Sequence, residues 1–164
     1  MIEILKATTD HHIAKIESLA NEIWREHYTP IIGIDQVVYM LQKFQSTEAI
    51  EYQIKTGYEY FLISHNKRAV GYLSLKNEND GVFLSKIYVL ANQRGLGIGA
   101  ETIGFVEKYA RKKRKPKIRL TVNKNNLKSK KAYEKLGFVE CGTVVADIGH
   151  GYVMDDYAME KTVT

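Results

Sequence analysis

Much of what usually fixes a small fold is scarce in this chain. There is one cysteine, Cys141, one tryptophan, Trp24, and two prolines, Pro30 and Pro116. A single cysteine excludes an internal disulfide framework and fits a reducing compartment. Cys141 lies beside Gly142 in a strand-like segment and is expected as a small core or half-buried residue, not a nucleophile. The prolines fall at segment ends and leave the rest uninterrupted. No apolar run approaches the ~20 residues of a membrane span. The start, "MIEILKATTD", lacks the basic residues and long apolar stretch of a signal peptide, so a cytoplasmic location is expected. The five histidines (His11, His12, His27, His65 and His150) have no metal-ligand spacing, and the lone cysteine is far from most of them. No metal is expected.

What is present is ordinary in bulk. The 164 residues suit one domain with a real core, and 45% hydrophobic with 26% charged is usual for a globular protein. The net charge of +5 favours anionic partners without choosing among phosphates, nucleic acid and acidic surfaces.

Periodicity organises the chain. "IEILKAT" alternates as a strand. Asp10 is placed as an N-cap, and Ile13, Ile16, Leu19, Ala20, Ile23 and Trp24 follow at helical spacing to about His27. "YTPIIG" is expected to break that helix. Val37, Met40, Leu41 and Phe44 form a second amphipathic stripe, and Ser46 or Thr47 caps a third helix ending before Gly57. Two β-rich runs, "YEYFLISH" and "RAVGYLSLK", flank Asn66-Lys67, a hairpin signal. "VFLSKIYVL" is a third strand. Beyond the glycines, Ile103, Val106, Glu107 and Ala110 predict a helix, "KIRLTV" a strand ending near Asn123, and "NLKSKKAYEKLGF" a helix closed by Gly137. "FVECGTVVADI" and "GYVMDDYAMEK" make two last strands. This order predicts a mixed α/β domain whose largely antiparallel sheet is interrupted by helical crossovers.

The most informative stretch is "NQRGLGIGA", residues 92 to 100, with three of the twelve glycines in five residues between a strand and a helix. A Walker A loop needs Lys and Ser or Thr after its last glycine, and Ala100-Glu101 stand there instead. Gly95-x-Gly97-x-x-Ala100 fits a dinucleotide fingerprint. Its acidic partner is missing, because no Asp or Glu occurs between Glu107 and Glu134. The remaining reading is a backbone cradle for a pyrophosphate at a helix N-terminus, where unpaired amides and the dipole favour negative charge.

"QRGLGIG" resembles the acetyl-CoA loop of the GNAT superfamily of N-acetyltransferases, whose pattern Gln/Arg-x-x-Gly-x-Gly/Ala is matched from Arg94 to Gly99. A second likeness lies downstream, in Asn123, Asn125 and Asn126 followed by Ala132-Tyr133-Glu134-Lys135-Leu136-Gly137-Phe138. The resemblance implies a three-layer fold. Its twisted, mostly antiparallel sheet of about six to seven strands is splayed at the cofactor and flanked by helices. It implies acetyl-CoA as donor and a primary amine as acceptor, with no metal. The backbone of Arg94, Gly95, Leu96, Gly97, Ile98 and Gly99 would hold the pyrophosphate of coenzyme A. Ile87, Tyr88 and Val89 would pair with the pantetheine arm. Asn126 and Ser129 would contact the cofactor, with Lys130 nearby, and Tyr133 would be the general acid for the departing thiolate. The N–H of Val89 would serve the oxyanion.

One departure stands out. Where many relatives carry a glutamate, this chain reads Phe83-Leu84-Ser85-Lys86. The base is left among Glu26, His27, Tyr28, Asp155, Asp156 and water. Trp24, His27 and Tyr28 are expected on one wall of the acceptor site, His150 and Tyr152 on the other. The acceptor classes are a small amine, polyamines included, and a protein N-terminus or lysine. The chain is expected as a monomer or homodimer. Two other classes stand beside the enzyme: a non-catalytic acyl-CoA sensor, and a nucleic-acid module using "ARKKRKPKIR" with Arg114 and Lys115. That run has no interleaved aromatics to stack bases, and it suits a solvated helix C-terminus better.

Overall fold

A computed structural model describes residues Met1–Thr164. Seven strands take the order β1-β2-β3-β4-β5-β7-β6. The sheet is antiparallel at β1–β2, β2–β3, β5–β7 and β6–β7, and parallel at β4–β5, where Val82 faces Ile118 and Phe83 faces Arg119. The chain forms two compact units, Met1–Lys76 with Lys86–Thr102, and Asn77–Ser85 with Ile103–Thr164.

The first unit begins with β1 (Ile2–Lys6) and α1 (Asp10–His27). The cap of α1 is Thr9, not Asp10. Thr9 is extended and its Oγ1 accepts from the His12 amide at 3.2 Å, while His12 Nδ1 accepts from the Thr8 and Thr9 amides. Asp10 already lies in the first turn, where its charge suits the dipole. The buried stripe of α1 is the predicted one, Ile13 to Trp24. "YTPIIG" does more than break it. Thr29–Ile32 winds into one short turn, α2, with Pro30 near its start, before Gly33 turns the chain into α3 (Ile34–Phe44). Val37, Met40 and Leu41 of α3 are buried, and Phe44 is half-buried. Ser46 caps α4 (Thr47–Lys55).

β2 (Tyr58–His65) and β3 (Arg68–Asn77) form the hairpin, with Asn66 and Lys67 both at positive φ, as a two-residue primed turn requires. The later part of β4 (Val82–Val89), a 3₁₀ turn at Ala91–Gln93 and the start of α5 (Ile98–Lys112) complete this unit. Gly71 of β3 permits one close approach. A Cβ there would meet the Tyr88 carbonyl oxygen at 2.3 Å. Only glycine lets β3 pass β4 at that point.

In the second unit, β5 (Lys117–Asn123) buries Ile118, Leu120 and Val122. α6 (Leu127–Lys135) ends as foreseen at Gly137. The Gly137 amide bonds Glu134 and the Phe138 amide bonds Tyr133, which closes a Schellman turn. β6 (Val139–Gly149) and β7 (Tyr152–Thr162) make the closing hairpin. Cys141 overturns its expected burial. It is exposed, because β6 is the outermost strand and nothing in the unit covers it. Part of the basic run is engaged locally: Arg111 donates to the Thr164 carbonyl and Lys115 to that of Asn79.

No helix is long and apolar enough to cross a membrane.

Candidate functional site

In the first unit the glycine stretch leads from β4 into α5. Gly95 and Gly97 have φ of 79° and 80°. That left-handed conformation strains any residue with a Cβ. A Cβ at Gly95, Gly97 or Gly99 would meet nothing within 4 Å, so the space above the turn is open. Gly97 supplies the first helical acceptor, bonded by the Glu101 amide at 3.1 Å. The amides of Ile98, Gly99 and Ala100 therefore open α5 without partners inside the helix. Ile98 is buried and anchors the turn, while Arg94 and Leu96 are exposed. Arg94 bends back, its Nε 3.2 Å from the Val89 carbonyl and its NH1 3.5 Å from His27 Nδ1.

The structure gathers the predicted first wall. Trp24, at the end of α1, lies 4.4 Å from Tyr28 and 5.4 Å from Tyr88 between ring centroids. His27 meets Tyr28 edge-on at 4.7 Å, and Tyr72 lies 5.4 Å from Tyr88. Trp24 is buried, and His27, Tyr28 and Tyr88 are half-buried, so the cluster turns aromatic surface outward. Of the candidate bases here, Glu26 is exposed.

Beside Tyr88 on β4 is a group that sequence reasoning passed over. Lys86 is 8% exposed, and its Nζ donates to the Phe44 carbonyl at 2.6 Å, to Gln53 Oε1 at 3.1 Å and to the Tyr60 hydroxyl at 2.5 Å. No carboxylate is among these partners. Burial pushes its ammonium down to about 7. Burial also raises the Tyr60 and Tyr72 hydroxyls above their ordinary range. Lys86 sits in an alternating, mostly apolar strand, and that pattern was the one available signal that it points inward.

The second unit carries the other candidates. Asn126 is buried and caps α6, its Oδ1 accepting from the Ser129 amide at 3.4 Å. Ser129 is half-buried one turn into the helix. Tyr133 is half-buried, 5.9 Å from Phe138 between centroids. Tyr152 is half-buried at the start of β7, and His150 is exposed at the turn before it. The candidate walls thus fall in different units: Trp24, His27 and Tyr28 in the first, His150 and Tyr152 in the second.

The neighbouring acids of β7 differ sharply. Asp155 is exposed and paired with Lys124 at 2.9 Å. Asp156 is 8% exposed, faces Asn123 across the β5–β7 ladder, and its Oδ1 has no donor. Burial lifts its carboxyl to about 6, against a smaller opposing pull from the Thr121 hydroxyl. A carboxyl near 6 is ionised at neutral pH and still basic enough to take a proton. Lys86 and Asp156 both sit in strands next to residues that point the other way, so their burial was decided by which side of each strand is covered.

Comparison with known proteins bears on the family and the fold. The Acetyltransferase (GNAT) family matches the chain over residues 16–138. A search of the curated proteins finds no match. Among solved structures, the PaiA N-acetyltransferase of Thermoplasma acidophilum, in complex with coenzyme A, is 21% identical, with 99% of each chain covered and a TM-score of 0.75. The ribosomal-protein-S18-alanine N-acetyltransferase of Escherichia coli is 16% identical, covering 100% of this chain and 95% of that one at 0.74. A spermidine N-acetyltransferase chimera from Vibrio cholerae and hSSAT is 20% identical, covering 98% and 95% at 0.70. At these identities the likeness establishes the fold, which is common to acceptors as different as a polyamine and a ribosomal protein.

Proposed function

Because this chain belongs to the GNAT family of acetyltransferases, we propose that it moves the acetyl group of acetyl-CoA to the primary amine of a small molecule, with polyamines the favoured class. The observation that carries an amine acceptor is Asp156, a buried carboxyl held near 6 with an oxygen that lacks a donor. Such a group can relieve an arriving ammonium of the proton that blocks its attack. The aromatic faces of Trp24, Tyr28 and Tyr88 suit the cationic chain of a polyamine.

The donor is held largely by backbone. The amides from Arg94 to Gly99 take the pyrophosphate, which the positive φ of Gly95 and Gly97 and the open space above them allow. Ile87, Tyr88 and Val89 present their backbone to the pantetheine arm, and Asn126 and Ser129 are further cofactor contacts. The family match runs through residues of both units, which supports treating them as one catalytic domain. The exposed thiol of Cys141 fits a reducing cytoplasm.

The chemistry then balances. Asp156 takes one proton from the ammonium, directly or through water. The free amine attacks the thioester carbonyl, and the Val89 N–H steadies the oxyanion. The C–N bond forms, the C–S bond breaks, and Tyr133 gives its proton to the departing thiolate; the second proton that leaves the nitrogen restores the Tyr133 hydroxyl through water, leaving an N-acetyl amine and coenzyme A. Tyr133→Phe is therefore expected to lower kcat by about 10²-fold with little change in the KM for acetyl-CoA. Unchanged kcat removes Tyr133 from the acid role.

A panel of polyamines, other small amines, and peptides with free N-termini or lysines, followed by thiol release, tests the acceptor. Polyamines are expected to give the highest kcat/KM. Turnover of peptides alone makes the acceptor a protein. No thiol release from any amine, with acetyl-CoA still bound, makes the chain a sensor.

A further inference from the structure

The sheet ends on an edge that the activity does not explain. β6 is its outermost strand. A strand with one covered face alternates between buried and exposed residues. In β6, every residue from Val139 to Asp147 is exposed. Val139 is 62%, Val144 41% and Val145 67% exposed, and Val153 of β7, next to this edge, is 49% exposed. Edge strands of solitary chains are usually short, or guarded by lysine, proline or a covering loop. β6 runs for 11 residues with no lysine, arginine or proline. Register shifts at Glu140/Gly142 and Asp147/Gly149 bracket a regular middle, Gly142 to Asp147.

We propose that β6 pairs antiparallel with β6 of a second copy of this chain, about a twofold axis at Val145, so that one sheet runs through a homodimer.

A second copy is the occupant that this edge specifies. An antiparallel edge is self-complementary under a twofold axis perpendicular to the sheet, where each outward N–H meets a carbonyl of the same strand in the other copy. Charge permits the approach. Glu140 is neutralised by Lys130 at 2.9 Å, and Asp155, opposite Val145 on β7, by Lys124 at 2.9 Å. The chain as a whole carries +5, which opposes self-association elsewhere, and this edge strand has no cation.

Side chains select the register. Keeping each face continuous pairs residues that share a face, so the axis falls on a residue. At Val145 it sets Val145 against itself, Val144 against Ala146, and Thr143 against Asp147. The threonine hydroxyl then donates to the carboxylate twice, once on each side of the axis. The two Asp147 residues lie four positions apart along the ladder, about 13 Å, beyond the ~8 Å reach of charges in physiological salt. An axis at Asp147 opposes the two carboxylates directly. An axis at Thr143 leaves Asp147 against Val139 of the second copy.

Sedimentation velocity over a ~100-fold range of concentration, reaching well into the micromolar, reads the equilibrium. The wild-type chain is expected to pass from monomer to dimer. Val145→Lys sets two ammonium groups on the axis and is expected to weaken the dimer at least ~10-fold. Val145 is exposed in the single chain, so thermal melting and turnover at low concentration are expected to match the wild type. A gentler variant covers a folding failure. In a Cys141→Ser background, Val145→Cys is expected to oxidise to a covalent dimer, and Val139→Cys, far from the axis, is not. A wild-type chain that stays monomeric throughout overturns the proposal, including one that instead binds a foreign extended peptide along β6. A dimer unaffected by Val145→Lys, or equal cross-linking at residues 139 and 145, overturns it too.

Discussion

Replacing Asp156 with Asn is expected to lower kcat for a good amine by about 10²-fold or more while making the folded chain more stable at neutral pH. The two effects have one cause. The carboxyl rises from 3.8 to about 6 on folding. Between those values the folded chain holds a proton that the unfolded chain has released. The resulting stability is complete below 3.8 and is lost as the pH climbs through 6. At neutral pH what remains is a largely buried carboxylate, costing at most about 3 kcal/mol, since each tenfold change in proton affinity is worth about 1.4 kcal/mol and solvent screening reduces the total. Asparagine removes that cost and the base with it. The kcat/KM of the wild type is expected to fall on the acid side with a limb near 6, and the variant to lack that limb. Full activity with the limb intact sinks the assignment. A variant that loses activity and stability together shows Asp156 to be structural.

Lys86→Met is expected to flatten the alkaline side of the stability profile. The ammonium drops from 10.5 to about 7 on folding, because burial penalises its charge. Below 7 both states are protonated and the penalty is at its full value. From 7 to 10.5 the unfolded chain holds a proton that the folded chain has lost, so stability rises with pH across that window. The rise is on the order of 5 kcal/mol, a large share of the ~5–15 kcal/mol that holds a domain together. Methionine fills the stem's volume without a charge and titrates nowhere in the window. Unfolding by urea at several pH values reads the difference. The wild-type midpoint is expected to climb with pH relative to the variant, and parallel profiles refute the assignment. The variant's gain below 7 is expected to be smaller than the whole penalty. The Phe44 carbonyl, Gln53 and Tyr60 each lose a donor when Lys86 goes.

Several elements were legible because local physics decided them. The α1 stripe from Ile13 to Trp24, the Asn66-Lys67 hairpin and the Gly137 stop each depend on neighbours within a few positions. The glycine turn belongs with them, since positive φ at Gly95 and Gly97 is a backbone property that those residue types announce. Near misses were local as well. Thr9 and Asp10 are both good caps, and the choice fell to the residue left extended. "TPII" coils because proline is tolerated in a first helical turn.

Burial was a different matter. Asp156 and Asp155 are adjacent and chemically alike, yet one is buried and the other paired with Lys124. Which acid turns inward depends on the pairing of β7 with β5. Lys86 reads as one more surface lysine until three oxygens from α3, α4 and β2 close around it. Cys141 reads as a core residue in a β-rich segment, and it is exposed because β6 has no neighbour on its far side.

By itself the sequence determined the order of strands and helices and the glycine turn into α5. Those follow from periodicity and from what glycine, proline and capping side chains do to the backbone beside them. Only the tertiary structure decided which titratable groups lose their water and which strand ends the sheet with its edge open. Desolvation and strand order arise from contacts between residues tens of positions apart, and no short stretch of sequence encodes them.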